Sequence, residues 1–185
     1  MKKDSSVQHV GLPDKAYRSK VLQSLLIMTA VIGAFFGTMN WQNYPVLGFL
    51  ELIMALYAMV LLPLAKQEKM QFKVSLSFLL PLYSLFLFAL TIPRETQTAV
   101  VWILVIPVLS HFLLGRRYGL WVSVVFMFLA GLATLIRSLF SGEQLDTLIL
   151  TTQSLAGVSI LVFSHVYEVS RVRAHKKLLH LATTD

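Results

Sequence analysis

Residues 45–64 read PVLGFLELIMALYAMVLLPL, an unbroken apolar run with one acidic side chain, Glu51. At 1.5 Å per residue a helix of this length is about 30 Å long, the thickness of a bilayer's hydrocarbon core. A helix on a soluble domain would carry a polar stripe, and a barrel strand would alternate polar with apolar. This stretch does neither. It is read as a membrane-spanning helix.

Similar blocks flank it on both sides, at 21–39, 72–92, 99–115, 118–139 and 147–168, each of about 17–22 residues. Over all 185 residues the chain is 56% hydrophobic and 14% charged, with a mean hydropathy of +0.71. Soluble domains run at about 45–50% apolar and about 25% charged. An ordinary soluble domain and a disordered chain are therefore excluded. The block at 21–39 is longer than a signal-peptide core and is read as a retained first span.

The net charge of +7 is a matter of topology rather than of nucleic-acid binding. Lys2, Lys3, Lys15, Arg18 and Lys20 precede span one; Lys66, Lys69 and Lys73 lie between spans two and three. Arg116 and Arg117 separate spans four and five, and Arg171, Arg173, Lys176 and Lys177 follow span six. Only Arg94 and Arg137 of the 16 basic residues fall on the other side. By the positive-inside rule both termini are cytoplasmic. The expected fold is all-α: a polytopic membrane protein of six transmembrane helices. The outer connections are short, so a stimulus must be sensed in the bundle, at its rim or through the bilayer.

Glu51 is the most informative residue, because an intramembrane carboxyl is costly unless protonated, paired or wet. It is a candidate for binding a cationic or hydroxylated ligand or for sensing protons; a protonated glutamate holding two helices in register is the alternative. His111 and His165 lie at similar depth on spans four and six and are the other sensing candidates. Such a pair could ligate haem or another metal, but no flanking pattern aims the two rings at each other, and no metal is assigned. Gly33 and Gly37 form a GxxxG pattern, a surface for close helix approach. No nucleophile–base set, HExxH, phosphate loop or carboxylate pair at usable spacing is present. No catalytic residue and no cofactor of this segment is expected.

After span six the chain continues as EVSRVRAHKKLLHLATTD, free of Gly and Pro. A seam at heptad spacing runs through Val158, Val162, His165, Val169, Val172, Lys176, Leu179 and Thr183, which reads as a parallel coiled-coil-like linker. A basic amphipathic helix on anionic lipid is the alternative.

The ending Lys177-Leu-Leu-His-Leu-Ala-Thr-Thr-Asp185 resembles the linker that precedes the GGDEF domain of bacterial diguanylate cyclases. The run from Trp102 to Pro107 and on through Phe112 to Gly119 resembles multi-span sensor modules fused to such enzymes. The resemblance implies a cytoplasmic N-terminal segment (1–20), a six-helix transmembrane sensor domain (21–168) and a signalling helix (169–185) leading to an output domain beyond Asp185. It implies a homodimer in the bacterial inner membrane; the short outer connections favour a hydrophobic or membrane-soluble small ligand, with the lipid bilayer as the other partner. It also implies synthesis of cyclic di-GMP from GTP with Mg2+ in that further domain, none of whose residues is in this chain. In this expectation span six repacks and re-registers the dimer through Val162, Val169, Val172 and Leu179. A histidine kinase sensor and, behind it, a small transporter or channel subunit are the competing readings.

Overall fold

The computed structural model describes residues 12–67, 70–92, 98–141 and 147–182; side chains at 12–17, 98–100, 140–141, 147–150, 153, 172 and 175–182 lie outside the described residues. Every described element is a helix: α1 (Leu12–Asn40), α2 (Pro45–Leu64), α3 (Gln71–Thr91), α4 (Thr98–Ser141) and α5 (Thr147–Ala182). Among the described residues, four stretches are long and apolar enough to cross a membrane: Arg18–Asn40, Pro45–Leu64, Gln71–Thr91 and Val101–Leu139. The chain is thus an all-helical membrane protein.

Local chemistry sets the boundaries. Pro45 opens α2, where its missing N–H costs nothing because the first helical N–H groups have no partner in the helix. The turn before it is closed by Tyr44 N–H donating to the Asn40 carbonyl at 2.8 Å. Between α2 and α3, Gln67 N–H donates to Leu64 and Met70 N–H to Gln67, each at 3.1 Å, so helix follows helix across a short link.

The sequence reading separates spans four and five at Arg116 and Arg117. In the structure the break is one residue wide, at Gly115 with φ 75° and ψ −174°, a conformation that is essentially glycine's alone. Arg116 and Arg117 already belong to the second limb, 116–141. That limb folds back on the first. A Cβ added at Gly119 would lie 2.7 Å from the Ser110 carbonyl oxygen and 2.8 Å from His111 Cα, although nine residues of straight helix span about 13 Å. Only a glycine lets the two backbones come this close.

Small residues draw α1 onto α2 in the same way. A Cβ at Gly33 would meet the Glu51 carbonyl at 3.1 Å and Ala55 Cβ at 3.3 Å; one at Gly37 would meet Leu52 Cγ at 2.8 Å. The GxxxG face is therefore used within the chain. Elsewhere α3 packs on α4 and α4 on α5, around a core that includes Leu22, Leu26, Phe78, Tyr83 and Ile106. The Tyr83 hydroxyl donates to the Ile106 carbonyl at 3.0 Å and lies 2.9 Å from Ser110 Oγ, while its ring meets Phe126 at 5.0 Å. One side chain thereby ties α3 to both limbs of α4.

Contacts gather the basic stretches at one end of the bundle. Ser19 Oγ donates to the Ala65 carbonyl at 2.8 Å, Phe72 stacks edge-on to Tyr118 at 5.1 Å, and Arg18 lies against Gly115. The stretches expected as span six and the linker fall in one helix, α5, whose 36 residues extend about 54 Å.

Candidate functional site

At this basic end Glu168 of α5 is the focus. Its residue is 1% exposed, and its Oε1 lies 3.4 Å from Arg18 NH2 on α1 and 3.5 Å from Arg171 NH2 one turn along α5. A carboxylate out of water is tolerable when charged donors surround it. The Arg18 guanidinium also fills the space beside Gly115, 3.0 Å from where a Cβ would stand. Three elements meet here: the start of α1, the turn of α4 and the exit of α5. While α5 packs mainly on α4, the Arg18–Glu168 pair joins it directly to α1.

One turn back along α5 from Glu168, His165 meets His111 of α4. Their rings meet edge to face with centroids 5.7 Å apart. His111 Nδ1 sits 2.7 Å from the Pro107 carbonyl, so Nδ1 carries the proton and Nε2 is left as an acceptor. His111 Nε2 and His165 Nδ1 are both buried without a hydrogen-bond partner. A cleft of about 230 Å³ lined by Val108, Phe112, Phe163, Ser164 and Tyr167 runs from His111 to Glu168. Among the described residues no group of three or more His, Asp or Glu side chains is arranged to hold a metal ion.

Glu51 stands at the other end, far from the histidines. Asn40 Nδ2, at the end of α1, donates to its Oε2 at 2.7 Å. Below it a cavity of about 380 Å³ opens among α1, α2, α3 and the first limb of α4. Its walls are mostly apolar, with the Thr29 hydroxyl among them, and include Met54, Leu82 and Leu109, all buried, with Trp102 stacked on Phe86 at 6.2 Å and edge-on to Phe36 at 6.2 Å. The cause is the close approach of α1 to α2, which leaves the other flank of α1 standing off α3 and α4.

Of the seam residues, Val158 and Val162 are exposed and Val169 half-buried, beside the stripe of α5 that contains buried Gly157 and Glu168. Val172 and Leu179 lie in α5, but their side chains are outside the described residues. Sequence reasoning missed Arg18 and Glu168. Arg18 was indistinguishable from the other topogenic charges. Glu168 did carry a signal, as the lone acid at the head of a basic stretch with Arg171 three positions on.

The MASE6 family of membrane-associated sensor domains matches the chain over residues 13–178. The chain belongs to the MASE6 family. No curated protein and no solved structure matches it. The matched stretch runs from the first turns of α1 nearly to the end of α5, so both cavities and the Arg18–Glu168 link fall inside the MASE6 unit.

Proposed function

We propose that this MASE6 chain is the sensory and transmission module of a bacterial diguanylate cyclase, acting as a homodimer in the inner membrane. It crosses the membrane six times, the two limbs of α4 each making a pass, with both termini in the cytoplasm. The gathering of basic residues at the Arg18–Gly115 end supports that orientation. GTP, Mg2+ and the catalytic domain belong beyond Asp185, as the linker-like ending implies.

The observation that carries the reading is the seat of Glu168. Helix α5 runs unbroken from the membrane into the linker, and at its exit it is held to α1 through Arg18. A ligand or bilayer change that moves α1 reaches α5 through this pair. Val162 and Val169 then re-register against the partner copy, and the change passes along Val172 and Leu179. A bias of a few kcal/mol between two packings is sufficient to switch output.

The test is to express the complete reading frame in membranes, supply GTP and Mg2+, and measure cyclic di-GMP. Formation of the product, with its regulation lost when Val172 and Leu179 are both replaced by Glu, is the expected result. Absence of product, or of a GGDEF signature beyond Asp185, overturns the cyclase assignment.

A further inference from the structure

We infer that the cavity under Glu51 is a binding site for a lipid-soluble molecule carrying a hydroxylated ring on an apolar tail, entering sideways from the bilayer. The inference deepens the sensor reading and rests on it for its regulatory meaning, but binding itself is independent of any output domain.

The shape of the site carries the argument. Its volume, about 380 Å³, lies within the range of small-molecule sites, about 300–1,000 Å³. The floor is buried and apolar at Met54, Leu82 and Leu109, whereas Met28 and Val101, on α1 and α4 at the rim, are 46% and 61% exposed. An opening between two lipid-facing helices admits molecules from the hydrocarbon rather than from water. Polar side chains in the lining are few. Among the described residues, Glu51, braced by Asn40, is the one carboxyl lining the chamber, whose other side-chain polar groups are the Thr29 hydroxyl and the Trp102 indole N–H.

Head-group chemistry follows from the carboxyl. Within the membrane a carboxyl is ionised only if paired, so the best complement is a group that serves it in either state. A hydroxyl does so, donating to the ionised form and accepting from the protonated one. The rings of Phe36, Phe86 and Trp102 select an aromatic body through edge and offset-stacked contacts. The space running down to Leu109, deep in the bundle, takes the tail.

The probe is 4-decylphenol, titrated into the full chain in saturated phosphatidylcholine nanodiscs. Trp102 emission is followed in a Trp41→Phe, Trp121→Phe background, since both replaced tryptophans are more than half exposed. Decylbenzene, with the same ring and tail but no hydroxyl, and phenol, with no tail, are the comparisons. The expected result is saturable binding of decylphenol about tenfold tighter than decylbenzene, the worth of one well-placed buried hydrogen bond, and no saturable binding of phenol. Glu51→Leu should erase the preference for decylphenol over decylbenzene, and Glu51→Gln, the milder change should the leucine variant not fold, should reduce it. Ala89→Phe and Val105→Phe, which fill the chamber from α3 and α4, should weaken both long ligands.

Equal binding of decylphenol and decylbenzene overturns the proposal and leaves an acyl-chain slot. Binding unaffected by both filling substitutions, or a hydroxyl preference that survives Glu51→Gln and Glu51→Leu, overturns it as well. Failure here leaves the cyclase assignment standing, and failure of the cyclase assay leaves this binding intact.

Discussion

Cutting the Arg18–Glu168 pair should loosen the bundle and free α5 together. Glu168 is almost wholly buried, with Arg18 and Arg171 at 3.4 and 3.5 Å and their side chains 26% and 19% exposed. Removing one partner of a buried ion pair costs about 3–5 kcal/mol. The two distances are long for charge-assisted hydrogen bonds, water reaches part of each guanidinium, and Arg171 stays in place after Arg18 is removed. Arg18→Ala should therefore cost about 1–3 kcal/mol. At about 2–4 °C per kcal/mol for a chain of this size, the melting temperature should fall by about 2–12 °C. Glu168→Gln keeps the shape and removes the charge, and should also destabilise. The decisive quantity is the coupling in a double-mutant cycle of Arg18→Ala, Glu168→Gln and their combination, read from thermal unfolding in one detergent. We expect the double variant to be less damaged than the sum of the singles by about 1 kcal/mol or more. Additivity within about 0.5 kcal/mol would show that Arg18 acts through other contacts and would remove the proposed route from α1 to α5.

Other expectations follow from single contacts. Gly119→Leu should prevent the two limbs of α4 from closing, because its Cβ would collide with the backbone of Ser110 and His111, whereas Gly131→Ala, with nothing within 4 Å in a helix interior, should not lower the melting temperature and should raise it slightly. Gly115→Ala should cost about 1–3 kcal/mol through backbone strain, with its Cβ also pressing on the Arg18 guanidinium, again read as a fall in melting temperature. Tyr83→Phe should cost about 1 kcal/mol, since it leaves the Ile106 carbonyl and Ser110 without the buried hydroxyl; an unchanged melting temperature would count against that network. Single cysteines at Arg116 and at Asn43, in a chain with no native cysteine, should react with an impermeant maleimide from opposite sides of sealed membrane vesicles.

The apolar runs and the charge bias were legible as soon as the chain was read, because lipid demands continuous hydrophobicity and self-contained backbone hydrogen bonds from any segment that crosses it. That requirement is local, so α2 could be delimited from residues 45–64 alone, and Glu51 stood out as an acid in such a run. The linear pattern did not reveal that the break in α4 narrows to Gly115. There the signal is the tolerance of one backbone for a left-handed φ and of Gly119 for its neighbour limb, which depends on what lies opposite.

The same holds for the candidate sites. Sequence marked Glu51, His111 and His165 as costly groups in apolar surroundings, since burial of a polar side chain is an expense visible from its neighbours in the chain. Which groups share a site is a pairing across 150 residues for Arg18 and Glu168, and no periodicity encodes such a pair. Only the packing of helices brought His111 to His165, put Glu168 between two guanidinium groups, and opened a chamber beneath Glu51. Membrane character was thus settled residue by residue along the chain; the sites were settled by which helix faces the glycines allowed to touch.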